Sequence, residues 1–266
     1  MSFSLPEFLP SALPSDDETR EMLTHFQALI SFYENGFKTS LRFRPKMKAE
    51  FPAILSTWLL SALQRSRIVA WGVIQSVNAG NAVIAVLAVR ALLENAAYVC
   101  YARDGLQRTY AQKLSRMEMT MLAFRLRFSQ RHNEKGCELT ADEMERVKAV
   151  NILTVLGHLD RYFSNKFHGE TRANVFTNWY GRLCEFSHPN GLGIEIGTEQ
   201  RVADNYFSYE REPGICEEVL GVIAAPVFTA QYSLFELYNE CWSLMIENGE
   251  QLPAMVPDSD PRIVVD

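Results

Sequence analysis

Arg182, Cys184, Glu185, Ser187 and His188 fall within two helical turns, where a helical pattern runs into Pro189-Asn190-Gly191. No other stretch of the chain gathers as many chemically capable side chains. Cys184 and His188 are four apart and share a helix face, a spacing that suits a thiolate–imidazole pair or half of a metal site. No second pair of ligands lies nearby, and Cys184 sits among core-type positions, so an inert buried thiol is the plainer reading. Ser187 and His188 are neighbours that point apart on a helix, which disfavours a serine triad. Arg182 with His188 is the pairing that keeps a chemical role. A guanidinium can steady a phosphate while an imidazole moves a proton. The plainer reading of His188 is a helix stop, because an imidazole in the last turn meets the negative end of the helix dipole.

A second set lies on an apolar helix. Arg90, Glu94 and Tyr98 follow one another at four-residue steps, one polar line on an otherwise apolar surface. Charges placed in a helical core are costly unless each finds partners. By themselves Arg90 and Glu94 make an ion pair that fixes how helices dock. Joined by Glu185, His188 and Asn190, they would make a polar pocket in which Arg beside His holds an anionic or phosphate-bearing ligand. A third set is basic: Arg103, Arg108, Lys113, Arg116, Arg125, Arg127, Arg131 and Lys135, with few acids between them. It suits RNA or an acidic partner surface, and equally a solvated helix face.

The elements that must position these side chains are helices. Residues 1–15 read as an extended lead-in punctuated by Pro6, Pro10 and Pro14. Ser15 followed by Asp16, Asp17 and Glu18 opens a helix that the pattern carries to residue 43, ahead of Pro45. Pro52 opens the next helix, which reaches at least Arg67. Asn78-Ala79-Gly80-Asn81 is a break, and Asn81 can cap the strongly apolar helix 81–102. A further helix is predicted from Leu106, with Tyr110, Leu114, Met117, Met121, Phe124 and Phe128 spaced as an a/d seam. Thr140-Ala141-Asp142-Glu143 is a capping box for a helix to residue 163. Residues 171–188 form the helix that ends at the Pro-Asn-Gly turn. Residues 192–212 are the one β-like stretch, suited to a short hairpin. Residues 216–248 form a last long helix around Pro226, and residues 252–266 read as a mobile tail.

Composition narrows the class. Hydrophobic residues make up 47% and charged residues 22% of 266, enough for a sizeable core without staples. A net charge of −6 argues against a whole-surface attraction to nucleic acid. The five cysteines are scattered and odd in number, which suits reduced thiols in a cytoplasm better than a disulfide framework. Arg90 and Glu94, near the middle of the most apolar helix, suit a core helix and not a membrane span. No cofactor and no metal are expected.

The Arg182-x5-His188 pair resembles the Arg-x4-6-His motif of HEPN domains, helical domains that include metal-free ribonucleases. In that family Arg steadies the phosphate and His transfers the proton or orients the attacking 2′-hydroxyl. The pairing of Arg90-Ala91-Leu92-Leu93-Glu94 with Tyr180 and Phe186-Ser187-His188-Pro189-Asn190 resembles the DUF5677-like bacterial all-helical proteins of unknown function. That resemblance covers residues 81–193 and implies that Arg90, Glu94 and His188 meet in space.

The expected fold is therefore all-α: a lead-in (1–15), one multi-helix bundle domain (16–251) with a small β-like excursion after the His-Pro-Asn-Gly turn, and a tail (252–266). The expected function is a cytoplasmic helical binding module whose polar pocket takes a small anionic ligand or a protein partner. The ligand-binding candidates are Arg90, Glu94, Tyr98, Glu185 and Asn190. One alternative is a HEPN-like metal-independent endoribonuclease with His188 and Arg182 as catalytic residues, its cleft completed across a homodimer. The other is a structural interaction protein that uses the 110–128 seam.

Overall fold

A computed structural model describes residues 6–32, 39–42, 50–128, 150–166, 174–188, 198–201, 206–209 and 215–257. Among these residues the chain forms seven α-helices: α1 (Asp17–Phe32), α2 (Phe51–Asn78), α3 (Ala82–Tyr110), α4 (Arg116–Phe128), α5 (Ile152–Lys166), α6 (Val175–Ser187) and α7 (Glu217–Glu247). Four short strands complete them: β1 (Thr39–Arg42), β2 (Thr198–Arg201), β3 (Tyr206–Tyr209) and β4 (Ala254–Pro257). β2 and β3 pair antiparallel in the expected excursion, and β1 pairs antiparallel with β4. The fold is an all-α multi-helix bundle.

α3 is the axis of the bundle. It packs on α2, α4, α5, α6 and, most extensively, α7. Its side chains explain this: Val86, Val89, Leu92, Leu93, Ala96, Ala97, Val99 and Cys100 are all sealed from solvent. A helix apolar nearly all round must be surrounded by others. α3 and α7 are each long and apolar enough to cross a membrane, yet more than half of each apolar window is buried inside the bundle. They serve here as its core.

Polar clamps fix the outer helices on this axis. Arg103 Nε donates to Glu240 Oε2 of α7 at 2.7 Å, and the Tyr162 hydroxyl of α5 donates to Glu240 Oε1 at 2.6 Å. His158 of α5 meets Asp104 of α3 at 2.6 Å. The Asn95 side-chain amide donates to the Ala62 carbonyl at 2.8 Å, which sets the register of α3 against α2.

The break at 78–81 forms as expected. Gly80 takes a positive φ of 68°, and the Asn81 side chain accepts the Ile84 N–H at 3.1 Å. Elsewhere the boundaries differ from the sequence reading. α1 ends at Phe32 and not near residue 43, and residues 39–42 form β1. The sequence Glu34-Asn35-Gly36, a turn signal, lies inside the span read as helix. α2 runs unbroken to Asn78. The first residues of the segment read as tail are held as β4 against β1.

The a/d seam is a correction. Tyr110 closes α3, Gln112 adopts a left-handed φ of 58°, and α4 starts afresh at Arg116. The seam therefore does not lie on one helix. Met117 is 71% exposed, while Met119 and Ala123 are the buried positions of α4. A reciprocal cap causes the restart. Glu118 accepts the Ser115 N–H and hydroxyl, both at 2.8 Å, and Ser115 Oγ accepts the Glu118 N–H at 3.2 Å. Gly105 lets α4 approach, since a Cβ there would lie 3.1 Å from Met119 and Leu122 side-chain atoms. The basic set is split in the same way. Arg103 and Arg108 belong to α3 and Arg116, Arg125 and Arg127 to α4, while Arg131 and Lys135 lie outside the described residues. Arg116 is paired with Glu250 at 2.7 Å. The capping box proposed at 140–143 also lies outside the described residues.

The cap carries a pH prediction. The Ser115 backbone N–H first, then its hydroxyl, hold the Glu118 carboxyl below its ordinary 4.5. A carboxyl depressed in the fold stabilises it above the unfolded value, and that contribution is lost as pH falls through the folded value. Glu118→Gln should therefore flatten the acid limb of stability below 4.5, read by urea unfolding across roughly pH 3 to 6. An unchanged acid limb would deny the cap its role.

Candidate functional site

α6 carries the stretch singled out by sequence, and α5 positions it. Asn174, the residue before α6, sits at φ 67° and its side chain makes no cap bond. Asp160 of α5, 6% exposed, supplies the cap instead. Its carboxylate accepts the Phe176 N–H at 2.8 Å, the Thr177 N–H at 3.3 Å and the Thr177 hydroxyl at 2.6 Å. A carboxylate at a helix N-terminus satisfies orphan donors and suits the positive end of the dipole. The far end closes at His188, whose extended backbone (ψ 147°) leaves the helix as its N–H donates to the Cys184 carbonyl at 3.0 Å. Ser187 Oγ donates to the same carbonyl, so its hydroxyl acts in the helix stop.

From this frame α6 sends Tyr180 to the polar line of α3. Arg90 Nη2 donates to the Tyr180 hydroxyl at 2.9 Å, and that hydroxyl donates to Glu94 Oε1 at 3.1 Å. Arg90 Nε donates to the same Glu94 oxygen at 3.2 Å, which closes a triangle. Burial works against the Arg90 charge, but Tyr180, Cys184 and Glu94 outweigh it and hold the guanidinium above its ordinary value. Burial first, then the Glu94 charge, push the Tyr180 hydroxyl up to about 12, so it remains a donor at neutral pH.

The other expected members that are described take no part in the hydrogen bonds of this triangle. Tyr98 donates to the Val150 carbonyl at 3.0 Å. Glu185, Arg182 and His188 are exposed, and Arg182 comes within 4.0 Å of Glu218 at the start of α7. Asn190 lies outside the described residues. Cys184 is half-buried on the same face of α6 as Tyr180, one turn from His188. The buried Cys100 and Cys241 thiols are pushed well above their usual range by burial, which makes them inert. Among the described residues no three His, Cys, Asp or Glu side chains gather into a group that could hold a metal.

What the polar line of α3 borders is a cavity of about 240 Å³ between α2, α3 and α4. Its walls are Trp58 and Arg65 of α2, Glu94, Asn95 and Tyr98 of α3, Arg125 and Leu126 of α4, and Val150. Trp58 and Arg65 are seven apart, two turns along one face of α2, as Glu94 and Tyr98 are one turn apart on α3. Arg65 and Arg125 thus border the same space as Glu94, which Arg90 already engages. Trp58 and Arg65 were not legible as site residues, because only the register of α2 on α3 brings them to Glu94, and Asn95 went unremarked beside Glu94 on α3. Arg125 was visible only as one of a basic set.

A second cavity, of about 350 Å³, lies between α1 and α7 and includes Glu236 and Glu240 in its lining. Its carboxylates are already engaged, Glu236 by Lys166 and Glu240 by Arg103 and Tyr162. The second oxygen of Glu236 is sealed from solvent. The α2–α3–α4 cavity is the stronger candidate. Compared with known proteins, the chain matches no family model, no curated protein and no solved structure.

Proposed function

We propose that the chain is a helical binding module whose α2–α3–α4 cavity takes a small anionic ligand. The observation that carries this is the charge of the walls. Among the described residues, Arg65 lines the space with Arg125 beside it, and the one carboxylate of that lining, Glu94, is already engaged by Arg90. A guanidinium in a partly desolvated concavity matches a carboxylate or phosphate in charge and in fork geometry. Asn95, only 8% exposed, and Tyr98 add fixed polar edges. The two helices that build most of the wall belong to the core, so the site is largely pre-formed, as ligand cavities usually are. A cytoplasmic setting accords with the four cysteines among the described residues, all free thiols.

The ribonuclease reading has less support. Arg182 and His188 are both exposed, and Glu218 stands within 4.0 Å of Arg182, where it would compete with a phosphate. A charge-assisted hydrogen bond to one guanidinium is worth about 1.5–3 kcal/mol, so Arg65→Ala should weaken acetate or phosphate binding about tenfold or more. Thermal unfolding reads this. At constant ionic strength, acetate and phosphate should raise the Tm of the wild type, and an Arg65→Ala/Arg125→Ala variant should lose that rise. Equal rises in both proteins would remove the cavity from the account.

A further inference from the structure

The walls of the α2–α3–α4 cavity are not only basic. Trp58 and Leu126 supply an apolar face, and Glu94 supplies an acceptor. Both hydrogen bonds that Glu94 makes, to Arg90 and to Tyr180, end on Oε1. Oε2 therefore carries no protein hydrogen bond among the described residues. The Glu94 side chain is half-buried and lines the cavity, so a donor that arrives with the ligand can satisfy that oxygen.

Size narrows the class. A cavity of 150 Å³ lined by apolar side chains holds a benzene ring. At about 240 Å³ the space takes one ring with a carboxylate and a small substituent. It is smaller than the roughly 300–1,000 Å³ typical of larger ligands, which favours a compact one. An indole face beside guanidinium groups favours a planar π-system that carries negative charge.

We infer that the cavity binds a single-ring aromatic carboxylate bearing a hydroxyl or amino donor. The ring lies against Trp58 and Leu126, the carboxylate meets Arg65, and the ring donor bonds Glu94 Oε2. This rests on the anion-binding reading above and names the ligand class for the same site.

The test is calorimetric titration of the full chain with 4-hydroxybenzoate, benzoate, acetate and benzyl alcohol. Benzoate should bind about tenfold tighter than acetate, because ring burial adds to the same charge contact. 4-Hydroxybenzoate should gain about a further fivefold from the Glu94 bond. Neutral benzyl alcohol should bind at least about tenfold more weakly than benzoate. Trp58→Leu should cut the benzoate-to-acetate ratio to about two, while Trp58→Phe, which keeps a ring, should preserve most of it. If benzoate and acetate bind alike in the wild type, the aromatic assignment is wrong and the anion reading stands. If 4-hydroxybenzoate gains nothing over benzoate, the donor assignment is wrong. If benzyl alcohol matches benzoate, or no probe binds, the anion reading falls as well. The wild-type comparison decides these points even where a Trp58 variant fails to fold.

Discussion

Asp160→Ala is expected to destabilise the protein by about 3–4 kcal/mol, the sum of a lost helix cap and of buried donors left unpaired. The carboxylate receives three hydrogen bonds from the first turn of α6, and Phe176, which makes one of them, is 1% exposed. The Phe176 N–H is buried, so its acceptor is the hardest of the three for water to replace. Asn174 gives no substitute, since its own side chain makes no cap bond. The consequence reaches the site. Tyr180 is held against Arg90 and Glu94 only as long as α6 keeps its place, so loosening α6 frees Glu94 to turn toward Arg65 and Arg125 and compete with an anion. Equilibrium urea unfolding measures the first effect and acetate titration of the folded variant the second. A loss under about 1 kcal/mol would mean that α6 is positioned by its apolar face alone.

Glu240→Ala should cost about 2–3 kcal/mol. Removing one partner of a buried ion pair costs about 3–5 kcal/mol in general, but here the loss is tempered. Glu240 is 33% exposed, and Arg103, 17% exposed, keeps Asp104 at 3.3 Å and Gln107 at 2.6 Å. The Tyr162 hydroxyl keeps nothing equivalent, and its residue is 8% exposed. Glu240→Gln keeps an acceptor for Tyr162 and should cost about half as much, because an amide still receives that bond. Urea unfolding of the two variants separates the charge from the hydrogen bond. Equal losses would place the whole effect in the Arg103 pair. Anion affinity should be unchanged in both, because the clamp joins α3, α5 and α7 away from the cavity.

The residues that declared the fold are those whose local chemistry has one solution. The run from Ala82 to Cys100 has no polar face wide enough for solvent, so it had to become the bundle's axis. Asn78-Ala79-Gly80-Asn81 had to be a break, with glycine at positive φ and asparagine as cap. Boundaries failed where apolar spacing ran through a turn. The 4, 3, 4, 3, 4 steps from Tyr110 to Phe128 persist across Gln112, so periodicity joined two helices that the Ser115–Glu118 cap separates. The strand at 39–42 was hidden because its partner, 254–257, is nearly the length of the chain away and neither is stable alone.

The site was half legible. Arg90 and Glu94 stood out because charges on an apolar helix need partners, and they found one in Tyr180, two turns before the histidine that the motifs pointed to. The cavity was not legible. Trp58 and Arg65 are ordinary residues of an amphipathic helix until the Asn95–Ala62 bond sets α2 against α3.

Titrating acetate into 15N-labelled protein and following the amide, indole and guanidinium N–H signals tests anion binding between α2, α3 and α4 most directly. The Trp58 indole, the Asn95 side-chain amide and the Arg65 and Arg125 Nε–H signals should move together along one saturating curve, with Arg182 still. Shifts centred on Arg182 and His188, with Trp58 and Asn95 unmoved, would contradict it and return the site to the end of α6.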